Sequence, residues 1–205
     1  MTAFRKTTNA LTPNAAPFAI RAERSSDVVA REALLDACFG ETRHARTCQR
    51  LRDGRAPAEG LAFSAVVRGR LVGTVRLWHV SAGGIPALVL GPLAVEASSR
   101  KLGTGAALMA HALAAATARG HHAVILLGDA PYYARFGFSG AKTSELSLPG
   151  AFERDRLLGL ELVPGALDGA WGMITATGKP MPKSSQSRIR SARGRKTLVA
   201  AAQAA

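Results

Sequence analysis

Two cations and two glycines crowd into six residues at Arg100-Lys101-Leu102-Gly103-Thr104-Gly105. The stretch joins an apolar run, Ala87 to Val95, to an alanine-rich segment that stops at Gly120. Chemistry at such a turn would be anion binding. The first N–H groups of a helix have no partner within the helix, and its dipole is positive there. Glycine removes the Cβ that would hold a phosphate away from the backbone. The stretch is not a P-loop, since no Gly-Lys-Ser/Thr ends it, and it lacks the third glycine of a dinucleotide fingerprint. Taken alone, the six residues also read as a tight strand-to-helix turn with solvated cations.

A second group lies downstream. Ala123 to Asp129 is a buried-type strand, followed by Pro131-Tyr132-Tyr133-Ala134-Arg135-Phe136-Gly137-Phe138, which holds the chain's only two tyrosines. A phenol with an ordinary pKa near ~10 can hand a proton to a departing thiolate.

The elements that must hold these groups follow from pattern. Leu102, Ala106, Met109, Leu113 and Ala116 alternate by four and three, which predicts one apolar helix face with Gly120 as its stop. Phe18 to Ala22 reads as a first strand. Ser25 or Ser26 would cap a helix whose buried stripe is Ala30, Leu34 and Cys38, ended by Gly40. A basic helix is expected over Ala45 to Asp53, with Arg43, Arg46, Arg50 and Arg52 on a solvated face. Leu61 to Val67 and Leu71 to Val80 form a hairpin about Arg68-Gly69-Arg70, and Ser81 to Pro86 turns into the central strand. Later strands are expected at Leu157 to Val163 and Trp171 to Thr175. Within the central strand, Gly91-Pro92 marks a break, because proline cannot donate to a ladder. The order implies an α+β domain around one sheet.

Together the two motifs resemble the GNAT superfamily of N-acetyltransferases, in particular the branch of small bacterial predicted acetyltransferases. The resemblance spans about Phe18 to Ala176. It implies a mostly antiparallel sheet with a splayed parallel pair, flanked by helices, and acetyl-CoA as cosubstrate. It assigns the pyrophosphate to Arg100, Lys101, Leu102, Gly103, Thr104 and Gly105, and the pantetheine arm to the edge of Leu93, Ala94 and Val95. A backbone N–H near Leu93 or Val95 would meet the thioester oxygen. Tyr133 matches the tyrosine beside the CoA sulfur, whereas Tyr132 matches a packing position. The resemblance also implies an amine-bearing acceptor, a small molecule or a protein, bordered by the basic region around Arg43 to Arg52.

The general base is not singled out. Glu96 lies just past the central strand, Asp129 ends the next strand but also suits a helix cap, and His79 is a third candidate. A water chain, or an acceptor arriving neutral, would serve equally.

Composition bounds the rest. At 205 residues with 47% hydrophobic and 20% charged content, a single globular domain is expected, residues 18–176. No run of eighteen apolar residues suggests a membrane span, and no secretory h-region follows Arg5 and Lys6. Cys38 and Cys48 show neither a disulfide framework nor metal spacing, and His121-His122 lacks metal spacing too; a cytoplasmic monomer or homodimer without metal is expected. Of the +13 net charge, seven positives lie between Lys179 and Lys196 with no acid, and Arg5 and Lys6 add two, which leaves +4 elsewhere. Residues 1–17 are expected to be flexible and 177–205 a disordered basic tail. A second reading follows from that tail: a catalytically silent binding protein of the same fold whose tail contacts nucleic acid or the ribosome through phosphates alone.

Overall fold

The computed structural model describes residues 17–181. The expected N-terminal segment, and the basic tail beyond Met181, lie outside the described residues. In chain order the elements are β1 (Ala19–Ala22), α1 (Val28–Phe39), β2 (Ala62–Val67), β3 (Arg70–Ala82), β4 (Ile85–Leu90), β5 (Ala94–Val95), α2 (Thr104–Ala118), β6 (Ala123–Leu127), α3 (Ala130–Ala134), β7 (Leu146–Ser147), β8 (Leu157–Glu161) and β9 (Gly172–Ala176).

Strand β3 is the spine. Its first half pairs antiparallel with β2, and its second half with β4 and β9. Both hairpins turn in two residues of positive φ, Arg68-Gly69 and Gly83-Gly84, a geometry that matches the right-handed twist of paired strands. The sheet runs β1-β2-β3-β4-β6-β8, antiparallel except where β4 meets β6 and in a two-residue parallel contact of β7 with β9. The β4–β6 contact covers only Leu88 with Val124 and Val89 with Ile125. This is the mostly antiparallel, open α+β sheet that the sequence implies.

Alternation sorts each strand into two cores. Val75, Leu77, Leu88, Leu90, Val124, Leu126 and Leu158 face α2. Trp78, Val80, Val89, Ile125 and Leu157 face the other way, against Leu51, Leu146 and Leu148. The buried stripe of α2 is Thr104, Leu108, Met109, Ala112 and Ala116. The expected stripe shares only Met109 and Ala116 with it, and Leu102 is exposed, because the helix starts two residues later than that stripe. Its end is as expected: Gly120 N–H bonds Thr117 O and His121 N–H bonds Ala116 O, the paired closure that a left-handed glycine permits.

Two expectations about the first third change. Neither Ser25 nor Ser26 caps α1; the Asp27 carboxylate takes the Arg24 N–H instead, with Arg21 and Ser64 on the same group. The buried face of α1 is Arg31, Glu32, Leu34 and Leu35, while Ala30 is exposed. The single basic helix over 45–53 is replaced by two 3-10 turns, Glu41–Ala45 and Thr47–Leu51, because Arg46 takes an extended conformation between them. Their face is not simply solvated. Arg43 is buried between Glu32 and Asp36, Glu32 also meets Arg31, and Glu23 joins Arg31 to Arg76 of β3. The network fixes this face because each buried charge has a partner. The Asp27 carboxyl, held by Arg21, drops to about 2.

The described chain continues past Ala176. Thr177 and Gly178 donate to His79 O, Lys179 O accepts from Ala56, Met181 donates to Gly54 O, and Arg55 Nη1 reaches Gly178 O at 2.7 Å. A chain ending at Ala176 therefore loses backbone bonds that one ending at Met181 keeps. Calorimetric melting of the two should place the shorter chain lower, by roughly 10–20 °C if the five lost bonds carry the usual ~1 kcal/mol each. Equal melting temperatures would show that 177–181 adds nothing.

Candidate active site at the split in the sheet

Leu90 pairs with Leu77 and Ala94 with Thr74, so four steps along one strand match three along β3. The surplus residue is absorbed at Gly91–Leu93. Gly91 sits at φ +139, which side chains rarely adopt, and its N–H still bonds Arg76 O at 2.8 Å. Trp78 Nε1 donates to Gly91 O at 2.6 Å. Beyond this bulge β5 pairs with β3 alone, while β6 continues to Leu127 against β8. The sheet is split between β5 and β6.

Glu96 N–H bonds Val72 O. By antiparallel alternation the N–H and C=O of Val95 then point to the opposite edge, into the split. The carbonyl is partly spoken for: it accepts from Arg100 Nε at 3.1 Å and Cys38 Sγ at 3.5 Å. The edge is thus less open than expected, and its N–H is what remains for a ligand.

The start of α2 lies against this edge. The expected turn is a 3-10 stretch, Ala97–Leu102, closed by Gly103 in the left-handed conformation. No side chain caps the helix, and a Cβ at Gly103 would meet nothing within 4 Å. Thr104 is buried with its hydroxyl on Ser99 O. A Cβ at Gly105 would stand 3.6 Å from Val95 Cγ2 and 3.1 Å from the Tyr132 hydroxyl. Uncapped N–H groups, an open glycine, and Arg100 and Lys101 just upstream form a fitting cradle for a pyrophosphate. Leu102 is 47% exposed and contributes no core.

The tyrosines divide differently from expectation. Asp129 caps α3 by accepting the Tyr132 N–H at 3.2 Å, a fixed structural task. Tyr132 is not only packing: its hydroxyl faces Gly105, and Arg135 covers its ring at 4.2 Å. Tyr133 is pressed into the core, edge-on to Phe138 and so close to the end of β6 that a Cβ at Gly128 would collide with its ring. Its hydroxyl makes no hydrogen bond among the described residues. Burial pushes its pKa up to about 12, with Tyr132 and Asp129 adding to the rise and Arg156 opposing it.

The remaining candidates stand apart. Glu96 pairs with Arg70 at 2.5 Å and accepts from Ser98, and the Arg70 contact lowers its pKa. A carboxylate so held is a poor proton acceptor. His79 pairs with Leu88 and stacks near His121 at 5.3 Å, away from the split. Among the described residues no three His, Cys, Asp or Glu side chains are placed to hold a metal ion, and no helix is long and apolar enough to cross a membrane. Sequence reasoning missed Arg31 and Arg76, since a charge at a buried position leaves no periodic signal.

An open sheet split beside an uncapped, glycine-led helix suits an elongated ligand with an anionic group. Residues 58–140 match the family described as the acetyltransferase (GNAT) domain. A GNAT family N-acetyltransferase from Escherichia coli (YhbS), solved in complex with CoA, is 29% identical with a TM-score of 0.67, over 80% of this chain and 92% of that one. A GNAT family acetyltransferase from Brucella melitensis, solved with acetyl-CoA, is 24% identical with a TM-score of 0.59, over 78% and 96%, a likeness of fold. No curated protein matches the chain. Residues 58–140 thus resemble a GNAT acetyltransferase domain, and the described fold is like that of GNAT family N-acetyltransferases.

Replacing Gly105 with Glu should abolish acetyl-CoA binding by calorimetry while the far-ultraviolet dichroism stays native. The carboxylate enters the cradle, and its Cβ meets only the Tyr132 hydroxyl and one methyl. Tyr132→Phe should weaken the same binding several-fold. Unchanged affinity in Gly105→Glu would remove this cradle from the site.

Proposed function

We propose that the protein transfers the acetyl group of acetyl-CoA to the nitrogen of an amine-bearing acceptor by direct attack. The observation that carries the reading is the contact of the uncapped α2 start with the bulged strand edge, Gly105 against Val95, inside a chain with a GNAT domain. The CoA and acetyl-CoA complexes of the similar enzymes support the donor.

In this reading the pyrophosphate sits on the N–H groups of Thr104 and Gly105, against the open Gly103, and the pantetheine arm extends along Leu93 to Val95. The Val95 N–H polarises the thioester carbonyl. The acceptor nitrogen donates its lone pair to the carbonyl carbon, a C–N bond forms, and the C–S bond breaks as the tetrahedral intermediate collapses. The nitrogen releases one proton to water, and the departing thiolate takes one from Tyr133, which water then restores. Holding the two reactants together supplies much of the rate. Glu96 and Asp129 are occupied elsewhere, so an acceptor that arrives neutral, or a water, fits the base role better than either.

The raised pKa of Tyr133 suits this role. The hydroxyl stays protonated, and able to donate, until the pH approaches about 12. Loss of rate through this group should therefore be absent at pH 10, where an ordinary phenol would be half ionised. Tyr133→Phe should cut kcat by roughly 10²–10³ with little change in acetyl-CoA affinity, since the ring keeps its packing. Single-turnover rates and calorimetry read the two effects. A wild-type single-turnover rate in Tyr133→Phe would take the acid role from this residue.

A further inference from the structure

The arginines near the bulge are mostly engaged. Arg43 and Arg76 hold carboxylates, Arg50 donates to Pro149 O, and Arg154 holds the Leu146 carbonyl among others. Arg52 is the exception. It has no ion pair and no hydrogen bond among the described residues, and its Nε is buried without a partner. The neighbouring Asp53 is taken by Gln49 at 2.6 Å. Arg52 Nη1 stands 3.5 Å from where a Cβ of Gly91 would be, at the bulge where the sheet splits.

A second cation lies on another loop. Arg156, whose backbone O takes the Gly128 N–H at the end of β6, acts on both Tyr133 and Cys48 by its charge, and Arg52 acts on Cys48 as well. Arg156 has only an exposed 3.3 Å contact with Glu153. The two segments are tied together: Thr47 bonds the Ala151 carbonyl and Arg50 that of Pro149. An Nε–H buried without a partner is costly, since it forgoes both water and a hydrogen-bond acceptor. Its position is explained if the counter-charge is brought by the acceptor.

The geometry points to an acceptor that carries a carboxylate near its amine, seated with the carboxylate on Arg52 beside the Gly91 bulge. The inference rests on the acetyl-transfer reading and names the acceptor class for it: amino acids or peptides rather than polyamines or other cations. A planar guanidinium grips a carboxylate in two parallel bonds, while the same cation repels an acceptor of net positive charge.

The test uses the full chain with acetyl-CoA and matched pairs of acceptors: free L-amino acids and their C-terminal amides, including alanine and phenylalanine. CoA release gives kcat/KM for each member, expressed per neutral amine. The carboxylate member should be preferred at least ~10-fold, the usual worth of a charge-assisted bond. Arg52→Gln should bring the ratio to within ~2-fold of unity, Arg52→Lys should keep part of it, and Arg46→Gln, which removes an exposed charge from the same segment, should keep it all. N-acetyl-L-phenylalanine titrated in the presence of CoA should bind more tightly than its amide, and about 10-fold more weakly to Arg52→Gln. If neither member of any pair releases CoA, the acetyl-transfer reading fails and this titration alone decides the carboxylate site. A wild-type ratio near unity, or one that Arg52→Gln leaves unchanged, overturns the inference.

Discussion

A mismatch of one residue in a β-ladder sets the rest of this structure. Strand β3 is continuous over Arg70 to Ala82, but its partner covers the same span with one residue too many between Leu90 and Ala94. A ladder cannot absorb that surplus evenly, so it collects at a bulge. Gly91 takes the backbone angle no side chain favours, and Pro92 brings no N–H that would need pairing. Past the bulge β5 and β6 part, because each is held on its far side, by β3 and β8 respectively. The split is therefore fixed by pairing on both flanks and not by anything inside it. The helix start at Gly103–Gly105 meets the freed edge at Val95, which brings an anion cradle and a strand edge within one ligand's length.

The face opposite α2 is held by charge as much as by apolar packing. Arg31 is 1% exposed, and Glu23 and Glu32 beside it divide between Arg31, Arg43 and Arg76. Burial alone would raise the Glu32 pKa, but Arg43 and Arg31 outweigh it and the net shift is downward, so the carboxylate stays ionised. Such a network earns little net stability against an apolar core, yet removing one member leaves a bare buried charge. Its effect is to fix α1 and the 41–53 segment over the bulge. Arg52 ends that segment with its charge unmatched, in contrast to the satisfied network beside it.

Much of this was legible in the sequence. Alternation gave β2, β3, β6 and β8 to within a few residues, and the paired motifs pointed to the family whose domain matches residues 58–140, because turn chemistry and strand periodicity are local. The Gly91-Pro92 break was readable as well, since both residues state their backbone constraints outright. What stayed hidden depends on tertiary contact. The buried face of α1 carries Arg31 and Glu32, whose partners lie on three other elements, so no apolar period marks it. The 45–53 helix failed for a related reason: its arginines look like a solvated face until Glu32, Asp36 and the 149–151 loop come near. Tyr132 and Tyr133 are adjacent and chemically alike, and only the placement of α2 decides that the first faces Gly105 while the second enters the core.

The account stands or falls on whether one ligand spans the cradle and the split edge together. Amide hydrogen exchange with and without acetyl-CoA tests this directly. The account predicts slowed exchange at Thr104 and Gly105 and, in the same titration, at Val95. Protection confined to the helix start, with Val95 exchanging as in the free protein, would contradict it.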